Sequence, residues 1–299
     1  MSAASALVIA DLVQQFGDRV AVDHLSATVG SGEIVGLVGR NGAGKTTTMR
    51  CVMGILNPKG GSIQWAGHPV ALEDRLRFGY MPEERGLYPQ MKVLQQMAYF
   101  GRLHRLPLDA ALKAAQHWIH RLGLEGREED RVVALSHGNQ QRVQLGVAMV
   151  HDPDLLILDE PFAGLDPSAV DELSRVLREV ASAGKAVLFS SHQLDLVERL
   201  CDQIIILEGG KVLASGTLAE LQGRVPQRLR VQVASSSEWW DGLDGVRVQS
   251  RDGGGVVFDL EPGDDTKAVL QAATAAGPLQ HFGFESGGLA ELYRQLVKS

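Results

Sequence analysis

Cysteine is scarce: Cys51 and Cys201 are the only two in 299 residues, far apart and in no Cys-x-x-Cys pair. Neither a disulfide framework nor a thiolate metal centre is therefore expected, and both thiols are read as core residues. No apolar run approaches the ~20 residues that a bilayer-crossing helix needs. The start, MSAASALVIADLV, lacks a positive n-region and its apolar stretch is broken by Asp11. No secretory leader is read there, and the chain is expected to stay cytoplasmic, reaching a membrane only through partners. Basic residues are not in surplus either, since 29 Lys plus Arg face 36 Asp plus Glu. A nucleic-acid partner is not expected, because such binders need a concentrated basic face to displace counterions. Internal repeats, low-complexity tracts and sustained heptads are absent as well.

What is present is an ordinary globular composition, 44% hydrophobic and 22% charged, long enough for one large domain plus a small one. Apolar runs at Ile34 to Val38, Leu155 to Leu158, Ala186 to Phe189 and Ile204 to Leu207 read as strands with helical patterns between them. That alternation predicts an α/β fold with a helix-covered parallel sheet. Alternating stretches at Leu7 to Leu12 and Ser62 to Trp65 predict an antiparallel patch beside it. From about residue 83 to 150 the strand signals give way to helical ones. Val93, Leu94, Met97 and Leu103 share one face, and Asp109 is placed to cap a helix ending near Arg121.

A short helix is predicted from Thr217 to Leu221, after which Gly223-Arg-Val-Pro226 punctuates the chain. The expected domains are therefore 1–222 and 223–299. In the second, the order strand, short helix around Trp239, strand, strand, helix, strand predicts a small α+β, ferredoxin-like layer. Gly253-Gly-Gly255 is expected to turn a hairpin there.

Gly39, Arg40, Asn41, Gly42, Ala43, Gly44, Lys45, Thr46 and Thr47 follow a buried strand and open a helix, the context a phosphate-binding P-loop requires. Glycines allow successive N–H groups to turn around a β-phosphate, and the helix N-terminus adds a favourable dipole. Lys45 can bridge β- and γ-phosphates, and the Thr46 hydroxyl can ligate Mg²⁺. The expected ligands are thus ATP and Mg²⁺. Leu155-Leu-Ile-Leu-Asp-Glu-Pro161 ends an apolar run in two acids, which would emerge at the carboxyl edge of the sheet. There Asp159 can hold the metal and Glu160 can act on the attacking water.

Leu135-Ser-His-Gly-Asn-Gln-Gln-Arg142 resembles the signature motif of ABC ATPases and precedes the Asp-Glu strand at the family's spacing. The resemblance covers residues of about 7 to 222 and implies a RecA-like P-loop core with a helical insertion. It also implies that Ser136 and Gly138 face the ATP of a second, identical subunit, so that two nucleotides are sandwiched between head-to-tail chains. Gly164-Leu-Asp166 resembles the loop that crosses this dimer interface, His192 resembles the switch histidine of the γ-phosphate, and Phe16 falls where the family stacks an aromatic on adenine.

Three positions depart from the commonest pattern. His137 replaces a signature glycine, Asn139 replaces the signature glutamine, and Glu83 stands where many members carry a metal-reaching glutamine. Ser136 and Gly138 are retained, which argues for an active site.

The segment Pro82-Glu-Glu-Arg-Gly-Leu-Tyr-Pro89 and the small C-terminal domain look like the bacterial sodium-extrusion and drug-export branch, of ABC-2 type. This implies separately encoded integral membrane permease subunits, contacted through the helical insertion on the cytoplasmic face of the plasma membrane. The alternative is a soluble ABC ATPase acting on a macromolecular complex. Lys45 and Leu135 stand too close for the long coiled coils of repair relatives, and one P-loop with one signature differs from the paired halves of ribosome-acting ones. A GTPase or small-molecule kinase would leave the signature unexplained, and no Asn-Lys-x-Asp motif occurs.

Overall fold

Alternating apolar residues near the start of the chain form a hairpin in the computed structural model, β1 (Ser5–Phe16) and β2 (Arg19–Gly30). Leu7, Ile9 and Leu12 of one strand and Val22, Leu25 and Val29 of the other are buried, the face that a half-covered sheet turns to its core. Next come β3 (Ile34–Val38), α1 (Lys45–Val52), β4 (Gly60–Trp65), β5 (His68–Pro69), the single turn α2 (Leu72–Arg75) and β6 (Phe78–Met81). β4 and β5 join the hairpin in an antiparallel sheet of order β2-β1-β4-β5. The sequence pattern predicts this patch but does not mark β2.

Three helices follow: α3 (Val93–Leu103), α4 (Leu108–Arg121) and α5 (His137–Met149). Val93 and Met97 of α3 are buried, whereas Leu103, expected on the same face, is exposed. Asp109 does not cap α4. Pro107 precedes the helix as its N-cap, and Asp109 stands inside the first turn, where a carboxylate still favours the positive end of the dipole.

The remainder of this part is β7 (Leu155–Leu158), α6 (Pro167–Ser182), β8 (Ala186–Ser191), α7 (Leu194–Leu200), β9 (Gln203–Glu208) and β10 (Lys211–Gly216). Their sheet has the order β10-β9-β3-β8-β7-β6. All neighbours in it are parallel except the β10–β9 pair at one edge. β3, β7 and β8 are buried along their whole length, which is why they read as unbroken apolar runs. In consequence the carboxyl ends of β3, β8, β7 and β6 stand side by side, the place where ligands bind in such sheets.

Contacts divide the chain into two units, Met1–Thr217 and Leu218–Ser299. The structure describes residues 5–298 apart from 85, 225–226, 235–237, 242, 244–245, 253–254, 261–265 and 286–287. Sequence punctuation puts the boundary after Gln222, but α8 (Leu218–Gln222) groups with the second unit, where it packs against the terminal helix and buries Leu221.

The second unit continues with β11 (Gln227–Val233), β12 (Arg247–Asp252), β13 (Gly255–Leu260), α9 (Thr266–Ala276), β14 (Leu279–Glu285) and α10 (Leu289–Lys298). Its antiparallel order β12-β13-β11-β14 is that of a ferredoxin-like sheet. The helix expected around Trp239 is a turn among the described residues, and Trp239 and Trp240 pack against a core containing Phe258 and Val231. The expected glycine hairpin turn lies partly outside the described residues, at 253–254. Arg228 ties α10 to the sheet through Asp259 (2.9 Å) and Glu291 (2.7 Å). Its guanidinium holds the Glu291 carboxyl below the usual range. Among the described residues no helix is long and apolar enough to cross a membrane.

Candidate active site

The loop from Gly39 to Gly44 turns out of β3 and delivers Lys45 to the first position of α1. Gly44, at the N-cap, has φ 106°, and a Cβ there would lie 2.6 Å from the Ala21 carbonyl oxygen. Only glycine accepts both the left-handed backbone and that approach. Gly39 is equally tight, since its Cβ would come within 2.4 Å of the Leu207 oxygen. The loop is thus wedged between β2 and β9. The buried Lys45 folds over it, donating from Nζ to the Gly39 carbonyl at 2.7 Å.

Asp159 and Glu160 follow β7, both buried. Glu160 has φ 50°, a region that costs a non-glycine residue and persists only where its surroundings hold it. Here they do: its N–H donates to Ser190 Oγ (2.8 Å), and its carbonyl accepts from the Ala163 N–H (3.1 Å). The same Ser190 hydroxyl donates to Asp159 Oδ1 at 2.6 Å. Asp159 Oδ2 is buried with no hydrogen-bond partner among the described residues. One Glu160 oxygen is 3.4 Å from Lys45 Nζ, in ion-pair range without hydrogen-bond alignment, and the other is 2.9 Å from His192 Nδ1.

A cavity of about 520 Å³ opens over this arrangement, lined by Phe16, Arg19, Ala21, residues 40–47 of the loop and the start of α1, Glu83 and Glu160. The fold therefore gathers Phe16, Arg40, Asn41, Gly42, Ala43, Gly44, Lys45, Thr46, Thr47, Glu83 and Glu160 around one volume. Gly39, Asp159 and His192 are not among the lining residues, although Gly39 accepts from Lys45 and His192 touches Glu160.

Ser136, Gly138 and Asp166 do not line it. Ser136 caps α5, accepting weakly from the Asn139 N–H (3.4 Å), and Asp166 caps α6, accepting from the Ala169 N–H (3.0 Å). The two loops meet: a Cβ on Gly164 would lie 2.8 Å from His137 Nε2, and one on Gly138 would lie 3.6 Å from Leu165.

Sequence reasoning missed Arg19, which the hairpin register pairs with Phe16, and Ala21, which lines the same cavity. It also missed Gln141 and Gln144. From α5 their side-chain amides donate to the Pro161 carbonyl (3.1 Å) and the Pro82 carbonyl (2.6 Å). Polar residues on a buried helix face are the only sequence signal of that role.

Residues 22–163 match the family described as ABC transporter, and residues 216–297 match that of the ATP-binding protein DrrA1-3-like, C-terminal domain. The chain is 36% identical over 293 residues to the ABC transporter ATP-binding protein YhaQ of Bacillus subtilis, covering 97% of this chain and 98% of that protein. With the Nod factor export ATP-binding protein I of Burkholderia lata it shares 38% identity over 206 residues, 68% of each chain. A solved ATP-binding subunit of an ABC transporter superposes with a TM-score of 0.68 at 31% identity, covering 74% of this chain and 93% of the other.

The chain belongs to the ABC transporter ATP-binding proteins. Its cassette is an ATPase that binds ATP and powers transport.

Proposed function

We propose that ATP is hydrolysed in the cavity over the glycine loop by Lys45, Glu160 and His192. The observation that carries this reading is the Glu160 carboxylate, buried between Lys45 and His192 at the edge of that cavity. The backbone N–H groups of residues 42–47 cradle the phosphates, and Lys45 exchanges its carbonyl partner for β- and γ-phosphate oxygens. Phe16 stacks on the base. Glu160 orients the attacking water and takes its proton, while His192 holds the second Glu160 oxygen and faces the γ-phosphate.

The donor set fits a hard cation: Asp159 offers a buried oxygen with no partner among the described residues, and Thr46 and Glu83 add oxygen atoms. Mg²⁺ on these three residues would offset the phosphate charge. Glu83 sits on the loop that Gln144 grips, so its movement with the bound metal would reach α5 and the helical insertion.

Ser136, Gly138 and Asp166 lie outside the lining of their own chain's cavity, with Ser136 and Asp166 exposed, which supports a working unit of two identical chains, each offering its signature loop to the other's ATP. Separately encoded membrane subunits complete the assembly at the cytoplasmic face of the membrane. Similarity to a Nod factor export protein favours export as its direction. The test is Glu160→Gln: ATP binding should persist while turnover collapses. Unchanged turnover would contradict the assignment.

A further inference from the structure

We infer that Ser190 is a positioning residue that sets both acids of the site through one hydroxyl. Its Oγ lies 2.6 Å from Asp159 Oδ1 and 2.8 Å from the Glu160 nitrogen, and the residue is fully buried. A backbone N–H can only donate, so Ser190 accepts from Glu160. An ionised carboxylate can only accept, so the single hydroxyl proton goes to Asp159. Both bonds therefore have a fixed direction, and the side chain that makes them is buried away from the surface.

Two consequences follow for the acids. Tying down Asp159 Oδ1 makes Oδ2 the oxygen left for a cation, and Oδ2 is the atom found buried without a partner among the described residues. Gripping the Glu160 amide holds that residue at φ 50°, the backbone turn from which its carboxylate reaches Lys45 and His192. Neighbouring Ser191 has a different partner, accepting from the Gln193 N–H at 3.0 Å. A serine that merely filled space at the end of β8 would be replaceable by alanine without effect on either acid. Outer partners of metal ligands, by contrast, typically change metal affinity 10–100-fold when removed.

The inference rests on the reading of Asp159 as a cation ligand, and the experiment separates the two. Free Mn²⁺ is followed by electron paramagnetic resonance as it is titrated into the full chain with a non-hydrolysable ATP analogue. Binding of the analogue in EDTA serves as the control. Ser190→Ala should leave metal-free analogue binding at the parental level and weaken Mn²⁺ about tenfold or more. It should also lower kcat with little change in the KM for ATP. Ser190→Thr, which keeps the hydroxyl, should restore most of the Mn²⁺ affinity, and Ser191→Ala should not alter it.

Parental Mn²⁺ affinity in Ser190→Ala, with Asp159→Asn impaired, overturns the inference and leaves the metal reading standing. Parental affinity in Asp159→Asn overturns the metal reading itself. Should Ser190→Ala prove too unstable to titrate, the near-isosteric Ser190→Cys carries the test through its weak thiol donor. An intermediate loss there supports the inference, and no loss overturns it.

Discussion

Glu160 Oε2 lies 2.9 Å from His192 Nδ1 while Glu160 Oε1 faces Lys45 Nζ at 3.4 Å. Each oxygen is held by a different residue, so the carboxylate has a defined direction before any nucleotide arrives. Glu160→Gln keeps size and hydrogen bonding but removes the basic oxygen. Turnover should fall at least about a hundredfold, within the range for loss of a positioned base, with ATP affinity intact. Phosphate release and equilibrium binding, measured on the same preparation, check this.

Phe16 is 48% exposed at the cavity rim, which decides against a core role. Base stacking on an aromatic is worth about 1–3 kcal/mol, so Phe16→Ala should weaken ATP binding by about fivefold to a hundredfold without lowering the melting temperature. Phe16→Tyr should bind almost normally. A fall in melting temperature with affinity unchanged would return Phe16 to the core.

A chain ending at Thr217 should fold and bind ATP. All the residues proposed for the nucleotide site precede that point, and the second unit has its own core around Leu229, Val231 and Phe258. Circular dichroism and nucleotide titration of the truncated chain are the measurements. A folded chain without ATP binding would show that the second unit contributes to the site.

The His104 and His151 rings stack with centroids 3.6 Å apart. They lie against the Leu76 and Phe78 carbonyls at 2.8 and 3.1 Å. Burial, with the neighbouring His104, lowers His151 from 6.5 to about 4. The unfolded chain takes up its proton near 6.5 and the folded chain only near 4, so between these values the unfolded state binds more protons. The contribution is therefore complete above pH 6.5 and is lost as pH falls towards 4. His151→Gln should flatten the change in urea midpoint between pH 7 and pH 5. Identical slopes in both proteins would contradict the assignment.

The legible parts of this fold are those with a local signal. β3 and β7 are buried on both faces and read directly as apolar runs, and the glycine loop and acid pair are contiguous motifs at their ends. β6, four residues with a central glycine, carries too little periodicity to be marked. β2 escapes because its buried residues Val22, Leu25 and Val29 are spaced by three and four positions instead of two, where the register with β1 shifts. The helix expected near Trp239 fails for another reason: the two tryptophans are drawn onto the sheet instead of lying along a helix face. Ser190 was invisible because its partners lie 30 and 31 positions away, and only the β7–β8 pairing brings them together.

The central claim is a site completed by a second chain, and mixing two disabled chains tests it most directly. Lys45→Ala keeps its signature loop and loses its P-loop lysine, whereas Ser136→Ala does the reverse. A heterodimer of the two holds one site with both elements intact. ATP occlusion and hydrolysis are measured for each chain alone and for the equimolar mixture. The account predicts that the mixture regains activity that neither chain shows alone. No recovery at any mixing ratio, with heterodimers demonstrated, would mean that Lys45 and Ser136 do not act across the pair.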